Sequence, residues 1–174
     1  MEIPPKLRFK LVNGVSESDI KDNKFVIYAH QCSKGIYIGR TDDPVRRWQE
    51  HVSHAFNKGS QYYDDNFREA IRLCGPNQFE HYILAVSSYE ELAQNKEAAA
   101  IDYYGGTLNM RFETRNEHRD YAFRQLETQI GIGIVLEKKS REGAFYSRDD
   151  SARTTIIAEI SMEYGRKRVR CIAA

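Results

Sequence analysis

Residues 24–40 read Lys-Phe-Val-Ile-Tyr-Ala-His-Gln-Cys-Ser-Lys-Gly-Ile-Tyr-Ile-Gly-Arg. Phe25-Val26-Ile27-Tyr28 is a run of β-forming residues, and Ile36-Tyr37-Ile38 is a second, ended by Gly39. Polar residues around Gln31 to Lys34 separate them, and Gly35 is a natural turn residue just before the second run. Two short strands joined by such a turn predict a β-hairpin. Tyr28 and Tyr37 then sit on its two arms.

The pattern changes period after the hairpin. Thr41 or Asp42 is expected to cap a helix with Pro44 in its first turn. Val45, Trp48 and Val52 recur at helical spacing, and Arg46, Arg47, Glu50, His51 and His54 occupy the other positions. A polar loop with Asn57, Gly59 and Ser60 follows. Asp64 to Cys74 predicts a second helix buried along Phe67, Ala70, Ile71 and Cys74, stopped by Gly75-Pro76-Asn77. Phe79 to Val86 is rich in β-formers and predicts a third strand. Ser87 or Ser88 is expected to cap a helix over Tyr89 to Tyr104, with Glu91 three residues after Ser88 as in a capping box. Gly105-Gly106 ends that helix, and Thr107-Leu108-Asn109 leads away from it. The order β-β-α-α-β-α predicts an α/β (α+β) fold, a small antiparallel sheet flanked by helices.

Flanking segments are less regular. Residues 1–23 read as a polar arm packed on the domain, with a short helix around Ser16–Asp22. Residues 24–110 form the expected catalytic unit, and residues 111–174 a C-terminal α+β extension. That extension predicts a helix over Glu113 to Gln129, a strand over Ile130 to Leu136, a turn at Arg141-Glu142-Gly143 and a short strand over Ala144 to Arg148. Ser151 to Glu163 suits either strand or helix, and Val169 to Ile172 a last strand.

Bulk composition bounds the function only loosely. A chain of 174 residues builds a full hydrophobic core without disulfide staples. Its net charge of +1 does not announce a nucleic-acid binder. Residues 1–110 hold 13 Lys and Arg against 15 Asp and Glu, and residues 111–174 hold 13 against 10, which leaves room for a C-terminal basic patch around Arg166-Lys167-Arg168-Val169-Arg170. Cys32, Cys74 and Cys171 are far apart and odd in number, so neither a zinc site nor a disulfide framework is expected and a reducing cytoplasm fits. The N-terminus lacks an apolar signal region, and no stretch has the roughly 20 apolar residues of a membrane helix. Ile130-Gly131-Ile132-Gly133-Ile134 lacks the third glycine of a dinucleotide fingerprint, so no organic cofactor is expected.

The chemistry-bearing residues fall in one order. Val26-Ile27-Tyr28 and Tyr37-Ile38-Gly39 are followed by Arg47-Trp48-Gln49-Glu50-His51, by Glu97 in the third predicted helix, and by Asn109 after Gly105-Gly106. This series, over about residues 24–110, resembles the GIY-YIG nucleases, with Val26 standing where glycine is usual. The resemblance implies DNA phosphodiester hydrolysis leaving 5′-phosphate and 3′-hydroxyl ends. It implies Tyr28, Tyr37, Arg47, His51 and Glu97 as catalytic residues, with Glu97 the single carboxylate holding Mg²⁺ or Mn²⁺. Lys34, Gly39, Arg40 and Asn109 are the expected substrate contacts.

Elementary chemistry supports those roles. Hydrolysis needs an activated water, charge on the phosphate and a proton for the leaving oxygen. Mg²⁺ keeps several waters and so tolerates one protein carboxylate. Arg47 offers a planar, permanent cation, and its four-residue spacing from His51 puts both on one helix face. Either tyrosine serves as general base or passes a proton to His51. An ordinary phenol, with a pKa of ~10, is a poor base at neutral pH, and Arg47, Arg40 or Lys34 is expected to lower it.

Taken singly, each of these residues has an ordinary structural use: strand tyrosines, a solvated helix arginine, a surface glutamate, a loop-bracing asparagine. The ordered set favours a metal-dependent DNA endonuclease of restriction or mobile-element type, with DNA as partner and a homodimer expected for a restriction enzyme. Two alternatives stay open: a nucleic-acid-binding module that lost activity, to which Val26 is the one local pointer, and an RNase or toxin-type nuclease.

Overall fold

The structure, a computed structural model, describes residues 6–109 and 156–172. Among the described residues six strands form one sheet: β1 (Leu7–Leu11), β2 (Phe25–Cys32), β3 (Gly35–Thr41), β4 (Glu80–Ser87), β5 (Ile157–Glu163) and β6 (Arg166–Ile172), in the order β3-β2-β4-β1-β5-β6. The helices are α1 (Glu17–Asp22), α2 (Pro44–Phe56), α3 (Asn66–Cys74) and α4 (Glu90–Tyr104). The expected sheet flanked by helices is present. It is wider than expected and not wholly antiparallel, because β1 runs parallel to β4. The helix and strands expected between 113 and 148 lie outside the described residues.

The hairpin forms as its sequence predicts. β2 and β3 pair with Tyr28 opposite Gly39, His30 opposite Tyr37 and Cys32 opposite Gly35. Gly35 adopts φ +145° at the turn. A Cβ there would stand 2.2 Å from the Thr107 hydroxyl, so the close approach of residues 107–109 also requires glycine. β4 pairs with the other side of β2, and the register shifts between Ile27 and Tyr28. Such a bulge twists a strand and re-aims the side chains beside it.

The flanks extend this sheet. Leu7, Phe9 and Leu11 alternate inward along β1, which lies between β4 and β5. Residues 7–11 are thus an interior strand and not merely a packing arm. Ser151–Glu163, open between helix and strand in sequence, contains strand β5. It turns into β6 through Tyr164 and Gly165, both at positive φ, as a tight hairpin requires. Hydrogen bonding therefore runs continuously across the boundaries expected at residues 23 and 110.

Two layers of helix cover the sheet. Ile20, Val45, Trp48, Val52, Phe67 and Ile71 pack with Phe9, Tyr28, Ile160 and Val169 in one buried cluster. Ala93, Ala100 and Ile101 of α4 pack with Ile27, Ile36, Ile38 and Leu84 in the other. Helix caps differ in detail from expectation. Asp43, not Thr41 or Asp42, caps α2 by accepting from Arg46 N, while the Thr41 hydroxyl accepts from Asp43 N at 3.1 Å. α3 begins at Asn66, two residues later than expected, capped by Asp65. No side chain caps α4: Ser88 Oγ donates to Asn23 Oδ1 at 2.9 Å, so the expected capping box is absent.

Candidate active site

Strand β3 is an edge strand, yet its outer groups are not left bare. Leu108 N donates to Ile36 O at 2.9 Å and Ile36 N donates to Thr107 Oγ1 at 3.1 Å. Asn109 then closes the row: its Oδ1 accepts from Ile38 N at 3.0 Å, and its Nδ2 donates to Ile38 O at 2.7 Å. Both ends of that amide are committed to backbone. Asn109 is therefore a brace for β3. Gly106 belongs to this brace, since a Cβ on it would lie 2.4 Å from Asn109 Oδ1.

The inner face of the hairpin carries Tyr28 and Tyr37, and α2 presents Arg47 and His51 to it. Gly39 makes the arrangement fit. A Cβ at Gly39 would lie 2.5 Å from the Tyr28 hydroxyl and 2.7 Å from Cζ, so the phenol occupies the space a side chain would take. Gly39 thus shapes the site through its missing side chain. Tyr28 Oη lies 3.0 Å from His51 Nε2, and both residues are buried. Tyr37 stacks on Phe67, ring centroids 4.0 Å apart and planes 2° from parallel.

A residue that the sequence reading passed over completes this chain. Arg68 of α3, only 6% exposed, places one terminal nitrogen 2.8 Å from His51 Nδ1 and donates with the other to Asp65 Oδ2 at 2.7 Å. Guanidinium has donors and no acceptor. His51 Nδ1 must therefore be the acceptor, and in the neutral ring the proton sits on Nε2. His51 Nε2–H then points at Tyr28 Oη and donates to it. The cue in the sequence was faint: Asp65 and Arg68 stand three apart, with Arg68 beside the buried residues Phe67 and Ile71.

Burial sets the proton affinities. It raises the Tyr28 phenol well above its ordinary value; the Tyr37 oxygen adds to this, and Arg47 opposes it without prevailing. Tyr37 is raised as well, first by burial, against the pull of Arg68 and Arg47. This corrects the expectation that nearby cations lower a tyrosine. Arg47 acts in the expected direction, but desolvation outweighs it. His51 is held well below its ordinary range by burial, then by the Arg68 and Arg47 charges. It is a neutral imidazole at pH 7.

The remaining expected residues divide. Arg47 donates to Glu50 Oε2 at 3.0 Å and keeps part of its side chain exposed beside the tyrosines. Glu97 lies on α4, where Arg40 NH1 donates to its Oε2 at 2.7 Å. Arg40 is thus engaged with the expected metal ligand. Lys34 is exposed at the hairpin turn. It lies at the turn end of the hairpin, six residues along the chain from Tyr28 and three from Tyr37. Val26 is fully buried in the cluster that holds Trp48 and Val52.

Among the described residues no group of three or more His, Cys, Asp or Glu is placed to hold a metal. A single carboxylate, Glu97, with water completing the shell fits a hard, strongly hydrated ion and does not fit zinc. Arg40 would have to share or yield that carboxylate.

Comparison with known proteins agrees with this geometry. The family model described as the GIY-YIG catalytic domain matches residues 24–111. No curated protein and no solved structure matches the chain. The matched span holds the hairpin, α2, α4 and the Asn109 brace, and covers half of the chain: this protein belongs to the GIY-YIG family of nucleases, whose substrates are nucleic acids.

Proposed function

We propose that the protein is a metal-dependent DNA endonuclease of restriction or mobile-element type. The observation that carries this reading is the buried series Tyr28–His51–Arg68–Asp65 beside the part-exposed Arg47. Proton-handling groups and a phosphate-sized cation lie together, as phosphodiester hydrolysis requires.

In the proposed mechanism Arg47 leaves Glu50 and grips the scissile phosphate through its planar fork. Of the two tyrosines, Tyr28 is the general base: its oxygen accepts from the His51 Nε2–H at 3.0 Å. As the Tyr28 hydroxyl takes the proton of the attacking water it passes its own to a phosphate oxygen, and the His51 Nε2–H holds the phenol oxygen in place through the exchange. Arg68 keeps His51 from accepting that proton, so transfer runs outward, toward the phosphate. Tyr37 orients the attacked phosphate. Glu97 holds Mg²⁺ or Mn²⁺, which supplies positive charge for the phosphate and the leaving oxygen when bound. Double-strand cutting by a restriction-type enzyme engages two copies of the chain, one site for each strand.

Labelled DNA duplexes and RNA of matched sequence test this reading. Wild-type protein with Mg²⁺ is expected to cut the DNA, leaving 5′-phosphate ends, while Tyr28→Phe binds it and leaves it whole. RNA cut in preference to DNA would replace the reading with an RNase. Binding without cleavage of either would replace it with an inactive module. Val26 fills the core, in the same buried cluster as Tyr28.

A further inference from the structure

Cys32 ends β2 and Cys74 ends α3. Their sulfurs, 42 residues apart in sequence, stand 3.5 Å apart. Both side chains are half-buried, and with Tyr37 they pack on the edge of the core cluster that holds Tyr28 and Phe67. Bond formation needs the sulfurs to close by about 1.5 Å, within reach of side-chain rotation at two element ends. Lys34 N approaches Cys32 Sγ at 3.4 Å and Ser33 Oγ lies 3.6 Å from Cys74 Sγ, so each sulfur has a polar neighbour at the hairpin turn. The bland alternative is that two thiols merely fill space. Against it stand their mutual contact and their access to solvent.

We propose that Cys32 and Cys74 are a reversible dithiol–disulfide site, oxidised by exchange with a low-molecular-weight disulfide. One thiolate attacks a sulfur of the small disulfide, whose S–S bond breaks and releases one small thiolate. The second protein thiol loses its proton to solvent and attacks the protein sulfur of the mixed disulfide. The Cys32–Cys74 bond forms and the second small thiolate leaves, so two electrons pass from the protein to the reagent. Burial raises the Cys32 thiol, which favours Cys32 as the second, resolving group. The bond closes a loop containing Tyr37, Gly39, Arg40, Arg47, His51 and Arg68. It ties the hairpin to the end of α3, the helix whose Arg68 fixes His51. The site does not depend on the nuclease reading, and its test does not use cleavage.

The test uses the full chain with Cys171→Ala, which removes the exposed third thiol. The protein is equilibrated over a range of glutathione disulfide to glutathione ratios, quenched with acid, alkylated and digested with trypsin. Tryptic peptide 25–34 is expected joined to 73–96, both blocked to alkylation, through one transition that dithiothreitol reverses. The oxidised chain is expected to melt higher, by roughly 5 °C or more. Cys32→Ala should leave a glutathione adduct on Cys74 and abolish the linked peptide. Independent glutathione adducts on both cysteines, or two thiols that neither link nor exchange while the folded protein is intact, would overturn the proposal.

Discussion

Arg68 touches His51 from the side opposite Tyr28: the guanidinium holds Nδ1 at 2.8 Å while the Tyr28 hydroxyl lies 3.0 Å from Nε2. A donor-only group on one ring nitrogen fixes the proton on the other. The polarity of the whole series thus follows from a residue that is buried and far too enclosed to grip DNA itself.

Arg68→Met is expected to release that constraint. DNA binding should persist while kcat falls on the order of 10²-fold, the lower range for loss of a positioned acid–base group. Ring ¹⁵N chemical shifts give the deciding readout. Wild type should show His51 protonated at Nε2 alone, and the Met variant a mixture of tautomers with a raised His51 pKa, because a neighbouring cation is gone. Arg68→Lys, still a donor, should recover part of the activity. An unchanged tautomer in Arg68→Met would contradict the assignment.

Asp65 serves two purposes, and its loss should cost stability more than chemistry. It caps α3 through Arg68 N and neutralises the buried Arg68 side chain. Asp65→Ala removes a cap of about 1 kcal/mol and leaves a buried cation with a partner missing, worth about 3 kcal/mol or more. Urea unfolding is expected to show a loss of about 4 kcal/mol, against about 0.5 kcal/mol or less for Asp42→Ala, which loses only an exposed ion pair with Arg46.

Gly39→Ala should inactivate without removing any functional group. Its methyl would occupy space held by the Tyr28 phenol. Cleavage should fall with the variant still folded by circular dichroism, and the Tyr28–His51 hydrogen bond should be lost from the NMR spectrum. Full activity in this variant would mean that Tyr28 works from a different position.

Acid should destabilise the protein well above the carboxylate range. His30 is fully buried and His81 partly so, with their Nδ1 atoms 2.8 Å apart, and His81 is pulled down to about 4, chiefly by burial. The folded-state pKa is depressed, so the stabilising contribution is complete above the unfolded value of ~6.5 and is lost as pH falls toward 4. His81 alone accounts for about 3 kcal/mol over that window. His30 and His51 shift in the same direction. Unfolding midpoints at pH 7.5, 6 and 5 should fall steeply, and His81→Phe should flatten the slope.

What was legible in the sequence was local. The hairpin, α2 and α4 announce themselves through β-rich runs, helical spacing and glycine stops, and the series Tyr28, Tyr37, Arg47, His51, Glu97 and Asn109 rides on them. Contacts between distant segments were not legible. Leu7, Phe9 and Leu11 alternate as a strand should, but only pairing with β4 and β5 makes that strand interior. Arg40 reads as a free phosphate ligand until α4 brings Glu97 to it. Arg68 reads as one more helix cation until α3 packs on α2. The tyrosine pKa was misjudged for a related reason: neighbouring charges can be guessed from sequence, whereas complete burial of a phenol can only be seen once the layers are assembled.

The central claim is metal-dependent cleavage of DNA at the Tyr28–Glu97 site, and supercoiled plasmid tests it most directly. Wild-type protein and Glu97→Ala are incubated with plasmid in Mg²⁺, in Mn²⁺ and in EDTA. The account predicts nicked or linear product from wild type with either ion, none with EDTA, and none from Glu97→Ala although it still binds the plasmid. Intact plasmid under every condition, or equal cutting by Glu97→Ala, would contradict it.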